Sequence, residues 1–80
     1  VPYITKQAKV EIDGGRRPVT AGELNYVITR TMLQFLEGQT LSYDSINDTI
    51  GAVEAAKQEF YRRIAIPYED KKIAENGDVY

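Results

Sequence analysis

Apolar residues along this chain recur at steps of three and four over most of its length, the spacing that lines up one face of a helix. The longest such run is Ser42 to Ile66, in which Ile46, Ile50, Val53, Phe60 and Ile64 share a face. Its middle holds the small residues Gly51, Ala52, Ala55 and Ala56, an expected place for a neighbour to approach closely. Pro67 is expected to break or kink this rod, because proline lacks the amide hydrogen and clashes with the preceding turn. After it, Tyr68 to Glu75 predicts a short final helix, with Pro67 suited to its first turn and Asn76-Gly77 as its stop.

A second run starts at Thr20. Thr20-Ala21-Gly22-Glu23 has the Thr-x-x-Glu spacing of a capping box, and the stripe Leu24, Val27, Ile28, Met32, Phe35, Leu36 follows until Gly38. Tyr26 and Leu33 lie off this stripe and point to a second buried face between subunits. Gln39 to Leu41 is a tight connection, so the next helix is expected to return antiparallel. Ser42 or Asp44 is placed to cap it. Asp44 and Asp48 near its start and Arg62 and Arg63 near its end suit the helix dipole.

Val1 to Ile12 reads two ways: Ala8, Val10 and Ile12 alternate as in a strand, whereas Ile4, Ala8 and Ile12 repeat as in a helix. Thr5 as a cap and Gly14-Gly15 as a stop favour a short helix, and no second strand-like run exists to pair with a strand. The expected fold is all-α: an antiparallel helical hairpin with short flanking N- and C-terminal helices, in a single domain covering residues 1–80.

Composition narrows the chemistry. The 80 residues carry a net charge of −2, which disfavours a general nucleic-acid surface, and contain neither cysteine nor histidine. Disulfides, thiolate metal sites and the commonest general base are therefore excluded. Carboxylates without histidine make a poor bundle metal site, so no catalytic residue, metal or cofactor is expected. No apolar run reaches the ~18–20 residues that span a bilayer, and a protein of the cytoplasm is expected. Six tyrosines against two phenylalanines suit core margins and interfaces, and Tyr26, Leu33 and Tyr68 are the candidate interface residues.

The remaining candidates are cationic. Arg16 and Arg17 sit beside Gly14-Gly15 on a loop that ends at Pro18, and Arg62-Arg63 follow Tyr61. Together Arg16, Arg17, Tyr61, Arg62 and Arg63 are the expected site for a small anionic ligand, held by guanidinium forks and ring stacking. The competing reading is surface charge paired with Glu59, Glu69 or Asp70. Neighbouring helix positions point apart, so only one of Arg62 and Arg63 is expected to face any one pocket.

Five blocks bear a likeness to known sequences: Pro2-Tyr3-Ile4, Thr20 to Tyr26, Ile46-Asn47-Asp48, Glu59-Phe60-Tyr61-Arg62-Arg63, and Pro67 to Ile73 with Glu75 to Asp78. Over nearly the whole chain they resemble a family of very short proteins of tailed bacteriophages and prophages. The resemblance implies a phage origin and supplies no catalytic residue, cofactor or partner. With it, three functions are expected. The first is a non-enzymatic, homo-oligomeric binding protein that interferes with a host factor in the host cytoplasm. The second is a sequestering protein for an anionic nucleotide signal, and the third a virion or assembly component.

Overall fold

The computed structural model describes residues 3–80, and every regular element among them is helical. Helix α1 covers Lys6–Asp13, α2 Ala21–Glu37, α3 Tyr43–Phe60 and α4 Ile66–Asn76, with a π-helical segment at Tyr61–Ala65 joining the last two. The chain divides into two compact units, Val1–Ser45 and Ile46–Tyr80. Within the first, α1 packs on α2; within the second, the π segment packs on α4. The all-α class is as expected. A hairpin of α2 and α3 would span the two units, and the packing within either does not establish it.

The ambiguous N-terminal stretch is a helix from Lys6 onward; residues 1 and 2 lie outside the described residues. Thr5 caps α1 by accepting a hydrogen bond from the Ala8 amide at 3.0 Å. The other end closes as a Schellman turn: the Gly15 amide donates to the Ile12 carbonyl at 2.9 Å and the Arg16 amide to the Glu11 carbonyl at 3.0 Å. Gly15 takes φ 111° to make that turn, a region unfavourable for a residue with a Cβ.

The start of α3 settles the choice of cap. Ser42 is the cap and Asp44 is not: Ser42 Oγ accepts from the Ser45 amide at 3.2 Å, and Ser45 Oγ accepts from the Ser42 amide at 3.0 Å. The reciprocal pair is a capping box in which Ser45 does the work more often given to Glu or Gln. Gly38 ends α2 and Gly77 ends α4, both as expected.

Of the break or kink expected at Pro67, the break does not form: the chain stays helical from Tyr43 to Asn76. In an α-helix Pro67 would leave the Arg63 carbonyl without its donor and would crowd it. The chain instead widens for one turn, with the Ile66 amide bonded to the Tyr61 carbonyl five residues back. Pro67 then occupies the first turn of α4, where its missing donor matters least.

Burial is sparse. Ala8 is the only buried hydrophobic side chain among the described residues, joined by Gly22, Glu23, Ser45 and Thr49. On α2, Val27, Met32 and Leu36 of the expected stripe are half-buried, but Leu24, Ile28 and Phe35 are exposed. On the rod, Ile46 and Val53 are half-buried, whereas Ile50, Phe60 and Ile64 are 55%, 65% and 57% exposed. A Cβ added to Gly51 would meet no atom within 4 Å, so the small-residue patch receives no close neighbour there.

Candidate functional site

Two polar constellations organise the first unit. One ties the loop after α1 to the start of α2. Thr20 Oγ accepts from the Glu23 amide at 3.1 Å, which is half of the expected capping box. The other half is displaced by one residue: Glu23 Oε1 accepts from the Val19 amide at 3.0 Å and from Arg16 Nη1 at 3.0 Å. Arg16 Nε also lies 2.8 Å from Glu11, an ion-pair distance, although its N–H is not aligned for a hydrogen bond.

The Schellman turn explains this meeting. It folds the backbone back at Gly15, so that Arg16 leaves the helix end pointing at both Glu11 and Glu23. The Val19 amide and the Arg16 guanidinium, both donating to the Glu23 carboxylate, hold its pKa below the usual carboxylate range. The Arg16 pKa is raised in turn by the hydrogen bond it donates to Glu23. This arginine, expected to grip a ligand, is paired within the chain with Glu23 and Glu11. Arg17 is exposed beside it, and its carbonyl accepts from Arg16 Nη1 at 3.3 Å.

The second constellation lines a cleft of about 300 Å³ between α1 and α2, bounded by Ile12, Asp13, Tyr26, Val27, Arg30, Thr31 and Gln34. The Tyr26 hydroxyl donates to the Asp13 carboxylate, with its two oxygens at 2.9 and 3.1 Å, and Lys9 Nζ stands 5.8 Å from the Tyr26 ring centre. Bonding to Asp13, followed by burial and the Asp13 charge, raises the Tyr26 pKa against the opposing influence of Arg30. Tyr26, expected at an interface, is half-buried inside one chain.

Sequence reasoning missed Asp13 and Gln34 as neighbours of this cleft. A signal existed. Asp13 closes α1 at the end where the helix dipole disfavours an acid, so it needs a donor. Tyr26, Arg30 and Gln34 follow one another at steps of four on α2 and therefore share a face.

The Tyr61-Arg62-Arg63 group lies in the other unit and is also engaged. Arg63 Nε bonds Glu59 Oε1 at 2.6 Å, and Arg62 Nη2 bonds the same oxygen. The pairing with Glu59 follows the expected surface alternative. Both arginines nevertheless turn to one carboxylate, because i+3 and i+4 both lie above Glu59. The two guanidinium bonds lower the Glu59 pKa.

Tyr61 donates to Glu69 at 2.7 Å, and this bond raises the Tyr61 pKa. In a regular α-helix, residues eight apart are rotated by about 80°, whereas the extra residue of the π turn brings them nearly into line. Of the other two candidate interface residues, Leu33 is 50% and Tyr68 60% exposed. Lys72 Nζ stands 5.5 Å from the Tyr68 ring centre. Among the described residues no three carboxylates gather to hold a metal ion, and no helix is long and apolar enough to cross a membrane.

Comparison with known proteins places nearly all of this geometry in one family. Residues 1–79 match the model of a domain of unknown function, DUF6899. The chain belongs to that family. No curated protein matches it, and no solved structure does. The match spans the arginine loop, the α1–α2 cleft and the long helix.

Proposed function

We propose that this member of DUF6899 is a small helical binding protein, carried by a phage, that acts as a homo-oligomer by occupying a host factor. The observation that carries this reading is a line of uncovered apolar side chains on the rod: Ile50, Phe60, Ile64 and Tyr68 are 55–65% exposed. Contiguous exposed apolar surface marks an interaction site in a folded protein. In this reading the protein binds rather than turns over a substrate. Phage origin and action in the host cytoplasm rest on the sequence resemblance.

Native mass spectrometry of the protein drawn gently from producing cells tests the reading. A stoichiometric complex with one host protein, dissociating into that protein and this chain, is the expected result. A bare species from cells in which every host factor is present overturns it.

The α1–α2 cleft supports a second reading, sequestration of a small anion. Arg30 lines the cleft and makes no ion pair among the described residues, so its guanidinium donors are available to phosphate or carboxylate oxygens. A ligand present at a hundredfold excess over its Kd adds about 2.7 kcal/mol to stability. A thermal-shift screen of linear and cyclic nucleotides in which no compound raises Tm rejects this second reading.

A further inference from the structure

The apolar positions from Ile46 to Ile64 obey a stricter rule than helical amphipathicity. Ile46, Val53 and Phe60 repeat every seven residues, and so do Ile50, Lys57 and Ile64, interleaved at steps of four and three. That is the seam of a coiled coil over nearly three heptads, with five of six positions apolar. The seam also continues past Pro67: the extra residue of the π turn moves its next position from Pro67 to Tyr68.

Resting on the oligomeric reading above, we infer that the seam is covered by the same seam of a second copy, running antiparallel about a two-fold axis level with residue 55. Two features select this occupant. First, the seam is self-complementary when reversed. Ile46 then meets Ile64 of the partner, Ile50 meets Phe60 and Val53 meets Lys57, so each large side chain has an apolar layer opposite.

The second feature is charge. Parallel pairing would set Lys57 against its own copy in the middle of the seam, a like-charge contact. Antiparallel pairing sets it against Val53, with the Glu54 carboxylates of both chains flanking that layer. Lys57 already bonds Glu54 of its own helix at 3.2 Å, so the centre becomes a neutral group of two lysines and two glutamates. Ala56 lies beside the axis and offers no bulk to keep the helices apart. A two-fold contact of this kind closes on itself and stops at two chains.

Sedimentation equilibrium at 1–100 µM, a span chosen to cover the order-of-magnitude Kd range of modest interfaces, provides the first test. The wild-type chain is expected to dimerise, with Ile50→Asp and Phe60→Asp weakening association at least about a hundredfold while Val10→Asp, on exposed α1 surface, leaves it unchanged. A wild-type monomer throughout overturns both the oligomeric reading and the seam. An oligomer that survives Ile50→Asp and Phe60→Asp but falls apart with Leu33→Asp overturns the seam alone. Lys57→Leu provides a folded control and is expected to tighten the dimer.

Orientation is read separately, and the absence of cysteine makes single-thiol variants unambiguous. With a short thiol cross-linker, Ala56→Cys is expected to link to its own copy, and Val53→Cys is not. The reverse pattern establishes parallel pairing and overturns the antiparallel assignment.

Discussion

The two units of this chain are built from similar residues and are held by different kinds of contact. In the first, polar side chains tie segments that are apart in sequence: Arg16 to Glu23, Glu23 to the Val19 amide, Tyr26 to Asp13 thirteen positions earlier. In the second, the side-chain bonds between Glu54 and Glu75 stay within one helical rod. They run from Lys57 to Glu54, from Arg62 and Arg63 to Glu59, from Lys72 to Glu75, and at their longest from Tyr61 to Glu69. Exposed pairs at i+3 and i+4 contribute only a few tenths of a kcal/mol each. The first unit therefore has tertiary reasons for its geometry, while the rod has local ones and an apolar face that asks for a partner.

The largest test of that contrast replaces Pro67. Pro67→Ala restores an amide donor and removes the ring, and the π turn then has no cause. An interior proline costs a helix about 3 kcal/mol, and one in a first turn costs less, so a gain below that ceiling is expected. Hydrogen exchange from Tyr61 to Glu69 should slow, and the Tyr61–Glu69 bond should be lost as the two side chains rotate apart. Unchanged exchange would mean that something other than Pro67 imposes the π turn.

Gly15→Val strikes the first unit. Its φ of 111° makes a β-branched residue strained by about 1–3 kcal/mol. Denaturant unfolding should register the loss, and NMR shifts should move at Glu11, Arg16 and Glu23 but not along α4. A response in α4 would mean that the units are more tightly coupled than the contrast allows.

Thr20→Ala comes next, at about 1 kcal/mol, because it strips the cap from the Glu23 amide. Ser42→Ala is expected to cost a similar amount at the start of α3, with chemical denaturation as the measurement for both.

The smallest effect is an acid one. The Glu23 pKa is lowered on folding, so its contribution is present above the ordinary glutamate range near pH 4.3 and is lost as pH falls through the folded value. Glu23→Gln should flatten this part of the stability–pH curve. It should also remove most of its response to Arg16→Gln, because the two mutations abolish one interaction.

Much of this was legible in residue order. Thr5, Thr20 and Gly38 marked helix ends because capping is local chemistry, complete within four or five residues. The pairing of Arg62 and Arg63 with Glu59 was open as an alternative for the same reason. The site was harder to read. Arg16 and Arg17 look alike in sequence, and only the turn at Gly15 gives Arg16 to Glu11 and Glu23. Nothing in the spacing of Tyr26 shows that α1 brings Asp13 to its hydroxyl.

The sequence by itself determined the helical class and most helix ends, because each depends on spacings along one segment. Tertiary structure decided which charges are spent and which remain, because that depends on segments meeting across a turn. It also decided the fate of Pro67. Whether a proline ends a helix or is absorbed depends on the hydrogen bonds the surrounding turns can still make, and here the bond from Ile66 to Tyr61 keeps the rod whole.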